Sequence, residues 1–83
     1  MSLNNNDLLS ILPGVTEVIV TTANLKELLP DQDFYEAGIT SVMALPILLE
    51  LEERYQVSIP DDRYIAARSI RAVAEIILDL QKG

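Results

Sequence analysis

The chain has no cysteine and no histidine. The missing cysteine excludes disulfides, thiolate nucleophiles and cysteine-ligated zinc. The missing histidine removes the usual general base, the imidazole metal ligand and the physiological-pH switch. Positive charge is scarce: six Lys and Arg stand against thirteen Asp and Glu, for a net charge of −7. Nucleic acid and anionic membranes would repel such a chain. No apolar run approaches the roughly 20 residues of a membrane span. Residues 1–6 lack both the basic start and the apolar stretch of a signal peptide, so a cytoplasmic protein is expected. Hydrophobic residues, by contrast, make up 49% of the 83, too many for disorder. Length and composition together predict a single domain over 1–83, a monomer with three or four helices around one core.

The acids are concentrated. Residues 31–62 carry eight of them (Asp31, Asp33, Glu36, Glu50, Glu52, Glu53, Asp61, Asp62) against Arg54 alone, while residues 63–83 are net positive. Apolar spacing supplies the elements. Leu8, Leu12, Val15, Val18, Ile19 and Thr22 follow a helical period, although the run 18–22 is strand-like in composition and Pro13-Gly14 interrupts the segment. A helix over 13–22 uses Pro13 as its first residue, where the missing amide costs nothing. Residues 24–40 read as a long loop, a length that is uncommon and often functional, with Phe34 expected to plug the core. The clearest helix covers 41–55, with Ala44, Leu45, Leu48, Leu51 and Tyr55 on its core face. Its opposite face holds Val42, Met43, Pro46, Leu49, Glu50 and Glu53, so the first two turns are apolar on both sides. Pro46 there removes the bond to the carbonyl of Val42, which predicts a slight kink at 42–46. A single helical turn is expected after Pro60. Ser69 is placed to cap a last helix whose core face is Ile70, Val73, Ala74, Ile77 and Leu80. The periodicity therefore gives an all-α bundle of three main helices.

Chemistry has few candidates. A serine nucleophile would have to find its base among Lys26, Lys82 and the carboxylates, and no spacing pairs them. Neither Asp31/Asp33 nor Asp61/Asp62 continues into a calcium loop with its central glycine and closing glutamate. No catalytic residue and no metal ligand is expected. One stretch does stand out: Asp33-Phe34-Tyr35-Glu36-Ala37-Gly38-Ile39-Thr40-Ser41 brings a glycine and a hydroxyl residue to the mouth of a helix. Ser41, or Thr40 before it, can act as an N-cap. The same serine can be an attachment point, because free amides and the helix dipole stabilise an ester phosphate at that position. The two readings are compatible.

From Asp33 to Pro60 the sequence DFYEAGITSVMALPILLELEERYQVSIP resembles the acyl and peptidyl carrier protein family. The resemblance rests on Phe34, Gly38 three residues before Ser41, the apolar helix behind it, the Leu51-Glu52-Glu53-Arg54-Tyr55 ending, Val57-Ser58-Ile59-Pro60 and the Ser69-capped last helix. It implies a four-helix bundle of the acyl-carrier type, three main helices plus one short one. It also implies 4′-phosphopantetheine, taken from coenzyme A, esterified to Ser41 and carrying acyl or aminoacyl groups as thioesters, so the thiol absent from the chain comes with the prosthetic group. The implied partners are a phosphopantetheinyl transferase and an acyl- or aminoacyl-activating ligase or synthase with a basic docking surface. They would meet Thr40, Val42, Met43, Pro46, Leu49, Glu50 and Glu53. Three positions depart from the family pattern: Thr40 stands where aspartate is usual, Val42 where leucine is common, and Pro46 lies inside the helix. The Gly38-Ile39-Thr40-Ser41 variant and the 63–77 region are similar to small stand-alone carriers charged by amino-acid ligases, and to D-alanyl carriers. The competing reading is a carrier-fold interaction domain that is never modified, in which Ser41 is only a cap.

Overall fold

The computed structural model describes residues 8–82, which form four helices: α1 (Leu8–Ala23), α2 (Ser41–Tyr55), the short α3 (Asp61–Ala66) and α4 (Ile70–Lys82). This is the all-helical bundle with a short third helix expected above. Among the described residues no helix is long and apolar enough to cross a membrane.

Helix α1 already includes Leu8, so Pro13 lies inside it and not at its first position. The helix tolerates it there because a proline at 13 frees only the carbonyl of Leu9, a residue 74% exposed, where water can satisfy it. The β-branched run 18–22 is helical because α1 packs against both α2 and α4, burying Ile11, Val15, Val18, Ile19 and Ala23. Amphipathic burial overrides a weak local preference. The helix stops where Asn24 adopts a left-handed φ of 59°. The Leu25 amide then donates to Val20 and the Asn24 amide to Thr21, a Schellman ending.

Helix α2 occupies the expected span, but its buried stripe is Ile47, Leu48 and Leu51. Leu45, expected inside, is 59% exposed. At 100° per residue the stripe is rotated by about 40° from the expected one, exchanging Leu45 for Ile47. The cause lies in the neighbour: α3 has six residues and buries none of them, so it cannot cover the Leu45 side. Met43, expected on the outer face, is partly buried against the core. In α4 the core face gains Ile76, while Leu80 is only partly buried. The cap at Ser69 is present, its hydroxyl accepting the Ala72 amide at 3.2 Å, an arrangement that stabilises a helix by about 1 kcal/mol.

The 24–40 connection is a loop, as its composition indicates. Leu28 and Ile39, each 5% exposed, anchor it, and Phe34 is only partly buried. Two clamps to the start of α4 hold it down. Arg71 binds Asp31 at 2.7 Å, and Arg68 binds Asp33 at 2.9 Å. The Phe34 amide also donates to the Arg68 carbonyl at 2.8 Å. The hydrogen bond from Arg71, with its charge, holds the Asp31 carboxyl below the ordinary value of 3.8 against a smaller opposing effect of desolvation. For Asp33 desolvation pushes upward, but the Arg68 bond, the Glu36 and Tyr35 amides and the Arg68 charge together outweigh it, so this carboxyl is lowered too. A folded-state value below the unfolded one contributes stability above the unfolded value and loses it as pH falls through the folded one. The clamps should therefore hold from neutral pH down to about 5 and release below about 4. The expected record is Phe34 and Arg71 amide resonances that stay constant between those upper values and move together in acid. Asp33→Asn should abolish the Phe34 transition, and persistence of that transition in the variant would assign the acid response to other carboxylates.

Candidate functional site

The segment before Ser41 is a single turn with a designed stop. The Asp33 carboxylate accepts the Glu36 amide at 3.1 Å, and the Ala37 amide lies 3.1 Å from the carbonyls of both Asp33 and Phe34. Gly38 then takes φ +95°, a conformation that L side chains rarely adopt, while its amide donates to Tyr35 and that of Ile39 to Phe34. The reversal drops Ile39 into the core and brings Thr40 and Ser41 out at the start of α2. Gly38 is therefore required for its backbone and not for space, since nothing lies within 4 Å of where its Cβ would be.

Ser41 is exposed and is the first helical residue of α2. The capping expectation needs correcting. Thr40 occupies the cap position, with φ −100° and ψ 169°, and makes no side-chain cap bond. The Met43 amide donates instead to the Thr40 carbonyl at 3.0 Å. Among the described residues the Ser41 hydroxyl has no hydrogen bond recorded within the chain, and the first turn of α2 contains no acidic residue. A 15-residue helix with this start favours an anion at its N-terminus.

Beside Ser41 runs a groove of about 480 Å³ between α2 and α3. Leu45, Leu48, Tyr64 and Ile65 are among the residues lining its length, Thr40 and Ser41 also line it, and Arg68 contributes a guanidinium. That guanidinium is engaged with Asp33 and stacks 4.7 Å from the centre of the Tyr35 ring. Helical period alone does not reveal this groove, because it places Leu45 on the core side and does not show how little a six-residue α3 covers.

The structure brings together most of the expected partner-facing residues. Val42 is 82% and Leu49 55% exposed, and Thr40, Pro46, Glu50 and Glu53 are exposed as well; Met43 alone turns partly inward. The charge there is uncompensated within the described residues. Arg54, Arg63, Arg68 and Arg71 pair with Glu17, Asp79, Asp33 and Asp31, and none of these pairs involves Glu50 or Glu53. Helix α2 continues through Pro46 to Tyr55. The freed carbonyl belongs to exposed Val42, the solvent-facing location that makes the loss tolerable.

An exposed hydroxyl at a helix start suits a phosphodiester: the oxygen can be reached, the amides and dipole favour the negative charge, and the groove beside it is mainly apolar. A protein-family model described as "Phosphopantetheine attachment site" matches residues 6–77. No curated protein matches the chain.

Proposed function

Since the chain belongs to the phosphopantetheine-binding carrier family, a family of non-catalytic carriers bearing a 4′-phosphopantetheine group, we propose that Ser41 is its attachment residue and that it presents acyl or aminoacyl groups to biosynthetic enzymes. When attached, the prosthetic group supplies the thiol on which cargo is held as a thioester. The chain's own contribution is positional. Gly38 and Ile39 bring Ser41 to the surface, the α2 amides and dipole favour the phosphate, and the core face of α2 keeps its start fixed. The observation that carries this reading is the exposed Ser41 hydroxyl with no role as a cap. That observation also weighs against an unmodified interaction domain, in which capping would be the serine's only task. Intact-mass measurement after incubation with coenzyme A and a broad-specificity phosphopantetheinyl transferase tests it, with Ser41→Ala as the comparison.

Partners dock over Thr40, Val42, Pro46, Leu49, Glu50 and Glu53, with Met43 at the edge. The exposed aliphatic groups supply contact area, and the unpaired glutamates steer a basic groove toward it. Reversing both charges, Glu50→Lys with Glu53→Lys, should slow association with the transferase about tenfold at low ionic strength. The difference should shrink as salt screens it. An association rate equal to that of the unaltered chain at every salt concentration would remove these acids from the interface.

A further inference from the structure

Helix α3 forms the second wall of the groove; the Arg63–Asp79 ion pair ties it to α4, and its hold on α2 is slight. None of its six residues is buried, and Ile65 is 72% exposed. Among the described residues one side-chain hydrogen bond crosses from it to α2: the Tyr64 hydroxyl donates to the Ala44 carbonyl at 2.6 Å. Ala44 lies inside α2, so its carbonyl serves the helix with one lone pair and Tyr64 with the other. The ring of Tyr64 packs against the core, and burial pushes the phenol up to about 12, so the hydroxyl is a neutral donor throughout the physiological range. Both ends of this bond line the groove beside Ser41.

We propose that Tyr64 determines what the groove admits, by selecting chains that carry an oxygen acceptor over plain hydrocarbon. A chain that passes between the Tyr64 ring and α2 separates the hydroxyl from Ala44. A hydrocarbon leaves that donor unpaired in an apolar slot, whereas a carbonyl or hydroxyl oxygen takes the place of Ala44. The difference is worth about fivefold in affinity. The occupant is a chain tethered at Ser41. The tether rests on the attachment reading above, but the selection by Tyr64 does not, and free probes on the unmodified protein separate the two.

Ethylbenzene and acetophenone have nearly the same shape and differ by a methylene against a carbonyl. Each is titrated into the full chain and into Tyr64→Phe, following groove amides by NMR. The unequal hydration of the two probes cancels when the same probe is compared between proteins. Ethylbenzene should bind about fivefold more tightly to Tyr64→Phe, because its entry no longer strands a donor, while acetophenone should bind the two proteins equally. On the free proteins, α3 amides should exchange about fivefold faster in the variant, with α1 and α4 unchanged. Equal changes for both probes, no change for either, or no binding of either to both proteins would overturn the proposal. So would faster exchange spread evenly over all helices, which would reduce Tyr64 to general support of the fold.

Discussion

After incubation with coenzyme A and a phosphopantetheinyl transferase, Ser41→Ala should remain at the mass of the untreated chain, while the unaltered protein gains one 4′-phosphopantetheine. The effect is all or none because the substitution removes the nucleophilic oxygen itself. Its structural cost should be small. Ser41 is exposed and is not the cap of α2, and alanine is a good helix former, so stability should stay within about 0.5 kcal/mol. Denaturation midpoints of the two proteins should therefore coincide, which separates lost chemistry from lost fold. The other described serines are placed differently. Ser10 lies within α1, Ser58 in the connection between α2 and α3, and the Ser69 hydroxyl is occupied with the Ala72 amide. Mass gain in Ser41→Ala at the normal rate would move the attachment point to one of these. An unaltered chain that no transferase modifies would instead favour the interaction-domain reading.

Leu51→Ala should destabilise the protein by about 3 kcal/mol, a large part of the roughly 4–12 kcal/mol expected for a domain of this size. Leu51 has no exposed surface and lies in the buried stripe of α2 that faces the core. Truncation leaves a cavity that the surrounding Ile and Val side chains can fill only partly. The melting temperature should fall by roughly 15 °C. Leu49→Ala, on the same helix but 55% exposed, should change stability by less than about 0.5 kcal/mol. Any effect of Leu49→Ala should be felt in partner binding. Thermal or urea denaturation of both variants decides the matter: equal losses would mean that the face assignment of α2 is wrong.

Much of the fold was legible because burial follows period. Helix α2 has the span its apolar pattern predicts, Ser69 caps α4 as expected, and a turn of helix follows Pro60. Errors arose where a residue's surroundings come from distant parts of the chain. Local sequence marks Pro13 as a helix start because its covalent effect is local, whereas its tolerance inside α1 depends on Leu9 reaching water. Leu45 and Ile47 were exchanged because hydrophobicity does not say which of two neighbouring stripes receives a partner. Ion pairing was equally hidden: Asp31 and Asp33 look like loop acids until Arg71 and Arg68, 40 and 35 residues away, come to meet them.

By itself the sequence determined the helical class, the lack of any thiol or imidazole chemistry of the chain's own, and the serine three residues beyond a glycine. Each of these follows from residue identity and spacing over a few turns. Only the tertiary structure decided that Ser41 stands exposed without a capping bond, that a groove opens beside it, and that Tyr64 bridges that groove to Ala44. Those features depend on how far a six-residue helix can cover its neighbour, a matter of shape in three dimensions that no local pattern encodes.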